Sequence, residues 1–337
     1  MMSQSCWLTL IVPGGSAALA GAADIAAEHA TQLAKIAGRG SLGRAYDRRD
    51  QHHAALRPWQ RGLLAALRLS GGEYASAPLC AQEHGEDRPG AFSMHMEPVH
   101  FVTGLDRLNL LPLTGPARVT HQERELLLAV IAAHLREWNL ELQALTDGTW
   151  NVRADQALEI TTACPEAAAC GELGTALPRG KDASSVRRLM TELQMLLHDH
   201  PVNERRVRAG LPVVNALWPW GSGTSVAAGS AHLPSAFGDA PYLRGIYRRD
   251  PHSMHPAPAN GADLLQSVAP TTRAIAVVAV EDQAMLEESW VAPLARALAG
   301  GQLSRLDLVL DDWHLDVSRS ALRKFWRKSL PPSQWAA

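Results

Sequence analysis

The stretch HDHPVNERRVRAGLPVVNALWPWGSG, residues 198–223, combines two histidines, a basic run, an apolar run and a glycine-rich end. Ahead of it, apolar residues recur at the spacing of one helix face, at Val186, Leu189, Met190, Leu193, Leu196 and Leu197. This periodicity predicts a helix, capped by Ser184 or Ser185 and ended by Pro201. After the basic run, PVVNALWPW at 212–220 predicts a strand. This part of the chain is therefore predicted to run helix, turn, strand.

Strand and helix patterns alternate on both sides of this stretch. Buried strands are predicted at 6–12 and 273–280, and hairpins at 98–113, 140–154 and 305–319. Helices are predicted at 17–37, 59–69, 120–138 and 283–299, with a short basic helix at 321–328. The segments 38–53, 70–93, 163–182, 221–240 and 250–261 are predicted to be loops or irregular. Hairpins interleaved with strands that are joined by helices predict an α/β or α+β fold, with a mixed β-sheet flanked by helices.

Two local signals support these boundaries. Thr120 and Glu123 have the spacing of a capping box, which marks the start of the helix at 120–138. The turn 146–148, Thr-Asp-Gly, is typical of a hairpin because Asp-Gly tolerates the positive φ of a tight turn. Residues 104–106 are placed near the turn of the first hairpin.

The chain is long enough for two lobes, since it has 337 residues of which 46% are hydrophobic and 20% charged. We predict an N-terminal α/β lobe at 1–162 and a C-terminal lobe at 183–337, separated by a small, polar, glycine-rich segment. One continuous domain is the alternative.

Charge and cysteine usage restrict the partners and the compartment. The formal net charge is -2, which argues against nucleic acid or a membrane surface as the main partner. No apolar run approaches the ~18 residues of a membrane span, and the start of the chain lacks the basic region of a signal peptide. The four cysteines have no metal-binding spacing, which favours reduced thiols. We therefore expect a cytoplasmic protein.

The residues around Pro201 allow a structural and a chemical interpretation. His198 and His200 lie two positions apart, so a helix would point them in different directions, away from a shared metal. Imidazoles at a helix end can instead bond free carbonyls there. Asn203 is predicted to cap the following turn.

The end of the predicted strand, Trp218 to Gly223, also has two interpretations. Glycines after a strand of an α/β sheet let backbone N–H groups approach a phosphate or a carboxylate. The alternative is a tight turn whose tryptophans fill the core.

The segment 184–223 resembles the archaeal-type, cofactor-independent phosphoglycerate mutases. In that family a helix is followed by H-P-V-N-x-x-R, then by an element with Gly, Pro and Asn, and then by an apolar strand ending in W-G-x-G. The downstream L-P-S-A-F at 233–237 is similar to the family's L-P-S-F. The order of Pro98, His100, Gly104 and Asp106, followed by QMLL at 194–197, also resembles the RpfE-type regulatory proteins of bacteria.

The resemblance implies a metal-dependent phosphatase-like fold and a small phosphorylated or carboxylated ligand. However, the first strand runs into Pro13-Gly14-Gly15, where the family has an Asp-Gly metal motif. The Ser or Thr nucleophile and the late Asp/His cluster are also not found. We therefore expect a non-catalytic regulatory or ligand-binding relative without a metal cofactor. Its ligand is expected to contact the following residues: His200, Asn203, Arg205, Asn215, Trp220, Gly221, Ser222 and Gly223.

The alternative is a phosphoryl-transfer enzyme with a relocated Mn or Zn site. Imidazole and carboxylate groups are suitable metal ligands, and the segment DPHSMH at 250–255 contains several. The candidates for this alternative are Asp250, His252 and His255, together with His95 and His100.

Overall fold

A computed structural model describes residues 6–19, 31–45, 55–83, 90–104, 108–145, 148–170, 173–225, 233–269 and 272–335. The strands are β1 (Cys6–Val12), β2 (Ser41–Arg44), β3 (Phe92–Thr103), β4 (Leu108–Pro112), β5 (Leu140–Ala144), β6 (Trp150–Ala154), β7 (Ala216–Thr224), β8 (Ser235–Phe237), β9 (Met254–His255), β10 (Arg273–Val277), β11 (Leu303–Leu310) and β12 (Trp313–Ser318).

The helices are distributed among these strands along the chain. They are α1 (Gly15–Leu19), α2 (Gln32–Arg39), α3 (Pro58–Leu67), α4 (Ser76–Glu83), α5 (His121–Glu137), α6 (Pro165–Ala169), α7 (Leu173–Ala176), α8 (Ala183–His198), α9 (Pro201–Arg208), α10 (Pro241–Tyr247), α11 (Gly261–Ser267), α12 (Gln283–Met285) and α13 (Ala292–Gly300). A π-helical segment (Leu286–Val291) joins α12 to α13. Among the described residues, no helix is long and apolar enough to cross a membrane.

The chain forms two compact units that are discontinuous in sequence. The first unit comprises 1–49, 58–70 and 230–337, and the second comprises 50–57 and 71–229. The boundary segment predicted at 163–182 lies inside the second unit. The last part of the predicted C-terminal lobe instead shares a unit with the start of the chain.

The first unit is built on a seven-stranded mixed sheet of order β2-β12-β11-β1-β10-β8-β9. Strands β11, β1, β10, β8 and β9 are parallel, and β12 and β2 extend the edge in antiparallel pairing. One face buries alternate residues such as Leu8, Leu10 and Leu308 against α2, α11, α13 and the π-helical segment. On the other face α3 contacts β1 and β11. This arrangement confirms the predicted mixed sheet flanked by helices.

The second unit is an antiparallel five-stranded sheet in which β3 is the central strand. Strands β6 and β4 pair with successive parts of one edge of β3, β5 pairs with β6, and β7 pairs with the other edge of β3. Helices α5 and α8 bury Leu127, Ile131, Leu189 and Leu193 against this sheet. The apolar stripe predicted on α8 is confirmed, because all of its members are buried or pack against the core cluster.

Most locally encoded elements are confirmed. Strand β1, the three hairpins and α5 lie at the predicted positions, and Thr120 and Glu123 form both bonds of the capping box. Residues 105–107 and 146–147, to which two of the hairpin turns were assigned, lie outside the described residues.

Several boundaries differ from the predictions. The segment 70–93 contains α4, which is buried on several sides and therefore shows little periodicity. Strand β7 continues to Thr224, so the predicted loop at 221–240 was wrong over its first residues. Helix α8 has Asp182 rather than Ser184 or Ser185 at its N-cap. The predicted helix at 321–328 is a 3-10 turn (Ala321–Arg323) followed by a β-turn, because the chain next packs against Gly38 of α2.

Candidate functional site

A cavity of about 180 Å³ lies in the first unit, between α3 and one face of the seven-stranded sheet. We call it the arginine cavity, and its polar lining is Trp7, Thr9, Arg68, Arg273, Arg305, Asp307 and His314. Gly62 allows α3 to approach the sheet, since a Cβ there would be 2.5 Å from Val309 Cγ1. The small residues Ala65 and Ala66 on the same helix leave the cavity open.

The register of three parallel strands brings the lining together. Trp7 on β1 pairs with Arg273 on β10 and with Arg305 on β11. Both guanidinium carbons lie over the indole ring of Trp7, at 4.5 and 4.4 Å from its centroid. This row of Arg, Trp and Arg places two like charges on either side of one aromatic ring, an arrangement favoured by cation–π attraction.

Asp307 is the buried carboxylate of the arginine cavity. The Trp7 indole N–H donates to Asp307 Oδ2, and His314 Nε2 lies 3.1 Å from Asp307 Oδ1. Burial raises the pKa of Asp307, but the bonds from His314 and Trp7 and the charge of Arg305 more than offset this and hold it below its usual range. Asp307 is therefore ionised at neutral pH.

Positive charge nevertheless exceeds negative charge in the cavity. Arg305 makes a bidentate pair with Asp316, at 2.8 and 3.0 Å, which neutralises it. Neither Arg68 nor Arg273 has a carboxylate within 4 Å among the described residues. Burial, together with the charges of Arg68 and Arg305, lowers the pKa of Arg273, although the carboxylate of Asp307 opposes this shift.

Two buried polar atoms of the cavity also have no partner in the described part of the chain. They are Thr9 Oγ1 and Arg273 Nε. Buried polar groups are normally hydrogen-bonded, so unpaired ones beside a cavity indicate a bound water or ligand. A hydroxyl, a guanidinium N–H and excess positive charge together suit an oxyanion.

The residues of the H-P-V-N stretch hold the second unit together. Asn203 is buried within α9 and donates from Nδ2 to the carbonyls of Leu197 and Val214, both at 2.8 Å, while its Oδ1 accepts from Val214 N–H at 2.8 Å. It therefore ties the end of α8 to the segment that leads into β7. The prediction that Asn203 caps this turn was wrong: the N-cap is His200, whose Nδ1 accepts from Val202 N–H at 3.2 Å.

The buried cation of this stretch is Arg206, next to Arg205, which was predicted to supply charge to the ligand. The Arg206 side chain is fully buried and donates to Glu123 and to the carbonyls of Pro212 and Ala117. Burial raises the pKa of Glu123, but the bonds from Thr120 and the charge of Arg206 lower it below its ordinary value. Arg205 is exposed, with Nε 3.4 Å from the Pro201 carbonyl.

The remaining predicted ligand contacts lie along β7 or just before it. Asn215 Oδ1 accepts from the Phe101 N–H at 2.7 Å, and Asn215 Nδ2 donates to the Phe101 carbonyl at 2.9 Å. Ser222 Oγ donates to the Ile160 carbonyl at 3.4 Å. Gly221 has φ +63° at a β-bulge between β7 and β3, and a Cβ there would lie 2.9 Å from Ser76 Cβ. A Cβ on Gly223 would lie 2.6 Å from Ala75 Cβ. The two glycines therefore let the start of α4 pack closely on β7.

Trp220 belongs to a buried cluster of the second unit. Its ring lies 4.5 Å from the ring of His95, whose Nε2 is 3.0 Å from Ser76 Oγ. Burial and the charge of Arg57 lower the pKa of His95 to about 3, so this histidine is neutral. Arg57 pairs with both Glu97 and Glu166 and lies over the Trp220 ring. Ser76 and His95 are 0% and 1% exposed, which leaves a substrate no access to them.

The residues proposed for a relocated metal site are not gathered into one. Asp250 accepts a bond from Ser253, the ring of His255 stacks on Phe237, and His252 is exposed. His100 Nδ1 lies 3.0 Å from the Val213 carbonyl. Within the described ranges, no three His, Cys, Asp or Glu side chains are placed to hold a metal ion.

Comparison with known proteins supports the resemblance over a short segment. The chain is 49% identical over 47 residues to the 2,3-bisphosphoglycerate-independent phosphoglycerate mutase of Methanothrix thermoacetophila and 43% identical over 47 residues to that of Methanosarcina mazei. A probable enzyme of the same name from Geobacter sulfurreducens is 36% identical over 56 residues. The first two matches span 14% of this chain and 12% of each relative. No family model matches the chain.

Two solved structures align with most of the chain at low similarity. The cofactor-independent phosphoglycerate mutase of Thermoplasma acidophilum aligns with a TM-score of 0.40 and 16% identity, over 93% of this chain and 89% of that one. The PH0037 protein of Pyrococcus horikoshii aligns with a TM-score of 0.41 and 14% identity, over 94% and 88%. The likeness to RpfE-type regulatory proteins remains a prediction.

Proposed function

We propose that this protein is a non-catalytic, ligand-binding relative of the phosphoglycerate mutases that holds a small phosphorylated or carboxylated metabolite in the arginine cavity. The observation that carries the proposal is the net positive charge of the cavity, where neither Arg68 nor Arg273 is paired with a carboxylate of the described residues, beside the unpaired Thr9 hydroxyl. Arginine suits phosphate and carboxylate because its planar fork can donate two parallel bonds.

The size and shape of the cavity restrict the ligand. Drug-sized ligands occupy pockets of ~300 Å³ or more, whereas the arginine cavity has about 180 Å³. A three-carbon acid with one phosphate is closer to this size than a nucleotide is. Asp307 would accept a bond from a ligand hydroxyl, which adds selectivity against simple inorganic anions.

A thermal-shift measurement on the full chain tests the proposal, with 3-phosphoglycerate and inorganic phosphate as probes. A ligand at 100 times its Kd stabilises the folded state by about 2.7 kcal/mol, which corresponds to a Tm shift of about 5 to 10 °C for a unit of this size. We expect R273Q and R68Q to lose the shift. The matched control R296Q, an exposed arginine on α13 in the same unit, should keep it.

Two results would contradict the proposal. If R273Q keeps the shift and the double variant R205A/S222A loses it, the ligand binds at the stretch 198–223 instead. Stoichiometric Mn or Zn in the purified protein, with a mutase or phosphatase activity that a chelator abolishes, would establish the metal-dependent enzyme. Both measurements use the same protein preparation.

A further inference from the structure

The most exposed aromatic residues of the described chain lie side by side on one turn. Phe325 is 78% exposed and Trp326 is 70% exposed. The Arg327 N–H donates to the Lys324 carbonyl at 3.0 Å, so the two aromatic residues are the central positions of a β-turn. We call residues 323–328 the aromatic turn.

Four cations surround this aromatic pair. They are Arg323, Lys324, Arg327 and Lys328, and no carboxylate of the described residues lies within 4 Å of any of them. The sequence therefore alternates two positive, two aromatic and two positive residues. The formal net charge of -2 is a sum over the whole chain and does not reveal this local cluster, so the prediction from net charge alone disfavoured a membrane surface.

The aromatic turn is held in place from both sides. Before it, Ala321 is buried and Leu322 packs against the core of the first unit. After it, the Leu330 N–H donates to the Ala34 carbonyl at 2.9 Å, and the buried Trp335 donates to the Leu330 carbonyl at 3.1 Å. The Lys328 carbonyl also fits against Gly38, where a Cβ would be 2.0 Å away. The exposure of Phe325 and Trp326 is therefore a property of an anchored turn.

We propose that the aromatic turn docks the protein onto an anionic membrane surface. Phe325 and Trp326 would enter the headgroup region, where amphipathic aromatic residues are favoured, and the four cations would contact anionic headgroups. Both groups would contribute to the free energy of membrane binding, because cations are attracted to anionic lipid and the burial of aromatic side chains at the interface is favourable.

The geometry favours a bilayer over a single-stranded nucleic acid. The Phe325 and Trp326 rings meet edge to face, with centroids 5.4 Å apart and planes at 80°. Successive bases stack on ring faces that lie roughly parallel, and two nearly perpendicular rings do not present such a pair of faces. Insertion into an interface requires apolar volume at the tip and no particular ring orientation.

Co-sedimentation of the full chain with vesicles tests the proposal. We expect binding to vesicles of phosphatidylcholine that contain phosphatidylglycerol, and little binding to phosphatidylcholine alone. F325S/W326S should lower the partition coefficient at least tenfold, because two large apolar side chains lose their burial. R327Q/K328Q should lower it about 30-fold, and high salt should weaken binding of the wild-type protein.

Matched variants control for exposure and charge. M195S replaces an apolar residue of similar exposure, and K181Q/R208Q removes two exposed cations from the other unit. Both should bind as the wild-type protein does, and all variants should keep its Tm. Wild-type protein that does not sediment with anionic vesicles, or F325S/W326S that sediments as well as wild type, would overturn the proposal. Retardation of a single-stranded oligonucleotide, or self-association, that requires Phe325 and Trp326 without vesicle binding would overturn it as well.

Discussion

Replacing Asn203 by alanine should strongly destabilise the second unit. The change removes three hydrogen bonds of 2.8 Å and leaves the N–H and C=O of Val214 without the side chain that pairs them. Each lost bond costs about 1 kcal/mol, and orphaned buried groups add to this, so we expect a loss of about 3 to 5 kcal/mol. That is a large part of the ~5 to 15 kcal/mol that stabilises a typical domain.

Urea unfolding, followed by far-ultraviolet circular dichroism, measures this loss. The midpoint should fall while the slope with urea stays constant, since the surface exposed on unfolding changes little. The control is E204A, the next residue on α9, which is exposed and forms a surface pair with Arg208. Its removal should change the free energy of unfolding by less than ~0.5 kcal/mol.

The isosteric variant N203D separates hydrogen bonding from packing. Aspartate keeps the volume and the acceptor for Val214 N–H, but at pH 7 it sets a carboxylate against the carbonyls of Leu197 and Val214. We expect a loss at least as large as that of N203A, and partial recovery at acidic pH as the carboxylate gains a proton. A loss below ~1 kcal/mol in N203A, or N203D as stable as wild type at pH 7, would refute the reasoning.

Two other predictions concern the buried cluster beside β7. In the unfolded chain His95 takes up a proton near pH 6.5, whereas the folded ring, with a pKa of about 3, stays neutral. The contribution of neutral His95 to the free energy of unfolding is therefore complete above pH 6.5 and decreases as the pH falls below that value. Between pH 7 and pH 5 this amounts to about 2 kcal/mol. In urea titrations, the free energy of unfolding of H95Q should therefore change about 2 kcal/mol less between pH 7 and pH 5 than that of the wild-type protein. An unchanged pH dependence would contradict the assignment. G221A should lower the free energy of unfolding by about 2 to 3 kcal/mol, because Gly221 has a positive φ and the added Cβ would meet Ser76. The control is G210A, which should cost about 1 kcal/mol, because Gly210 has φ +69° but open space around it. Equal losses of the two variants in thermal unfolding would argue against close packing at Gly221.

The sequence predicts those parts of the fold that are encoded over short distances. The stripe on α8, the capping box of Thr120 and Glu123, and the hairpins all follow from spacings of a few residues. Helix α4 was missed because neighbours cover it on several sides, so its apolar residues are not confined to one stripe. The N-cap at His200 was recoverable, since proline is favoured at the first position of a helix and Pro201 occupies it.

The arginine cavity could not be predicted in the same way. It depends on the register that brings Trp7 beside Arg273 and Arg305, residues that are far apart in the chain. Each strand does carry a local signal, because Trp7 and Thr9 alternate with leucines, as do Arg305 and Asp307. Alternation of this kind indicates a polar sheet face, but it does not show which strands are neighbours.

The strand order of the first unit has a consequence for synthesis on the ribosome. β1 lies between β10 and β11, and its indole partner Asp307 is 300 residues further along the chain. At ~5 to 20 residues per second, about 15 to 60 s pass between the synthesis of the apolar segment LTLIV and the synthesis of the strands β10 and β11 that flank it. Throughout that time both of its backbone edges are unpaired, which is the condition that promotes intermolecular strand pairing. Nascent chains of this protein should therefore require protection of residues 8–12 until the last third of the sequence has been translated.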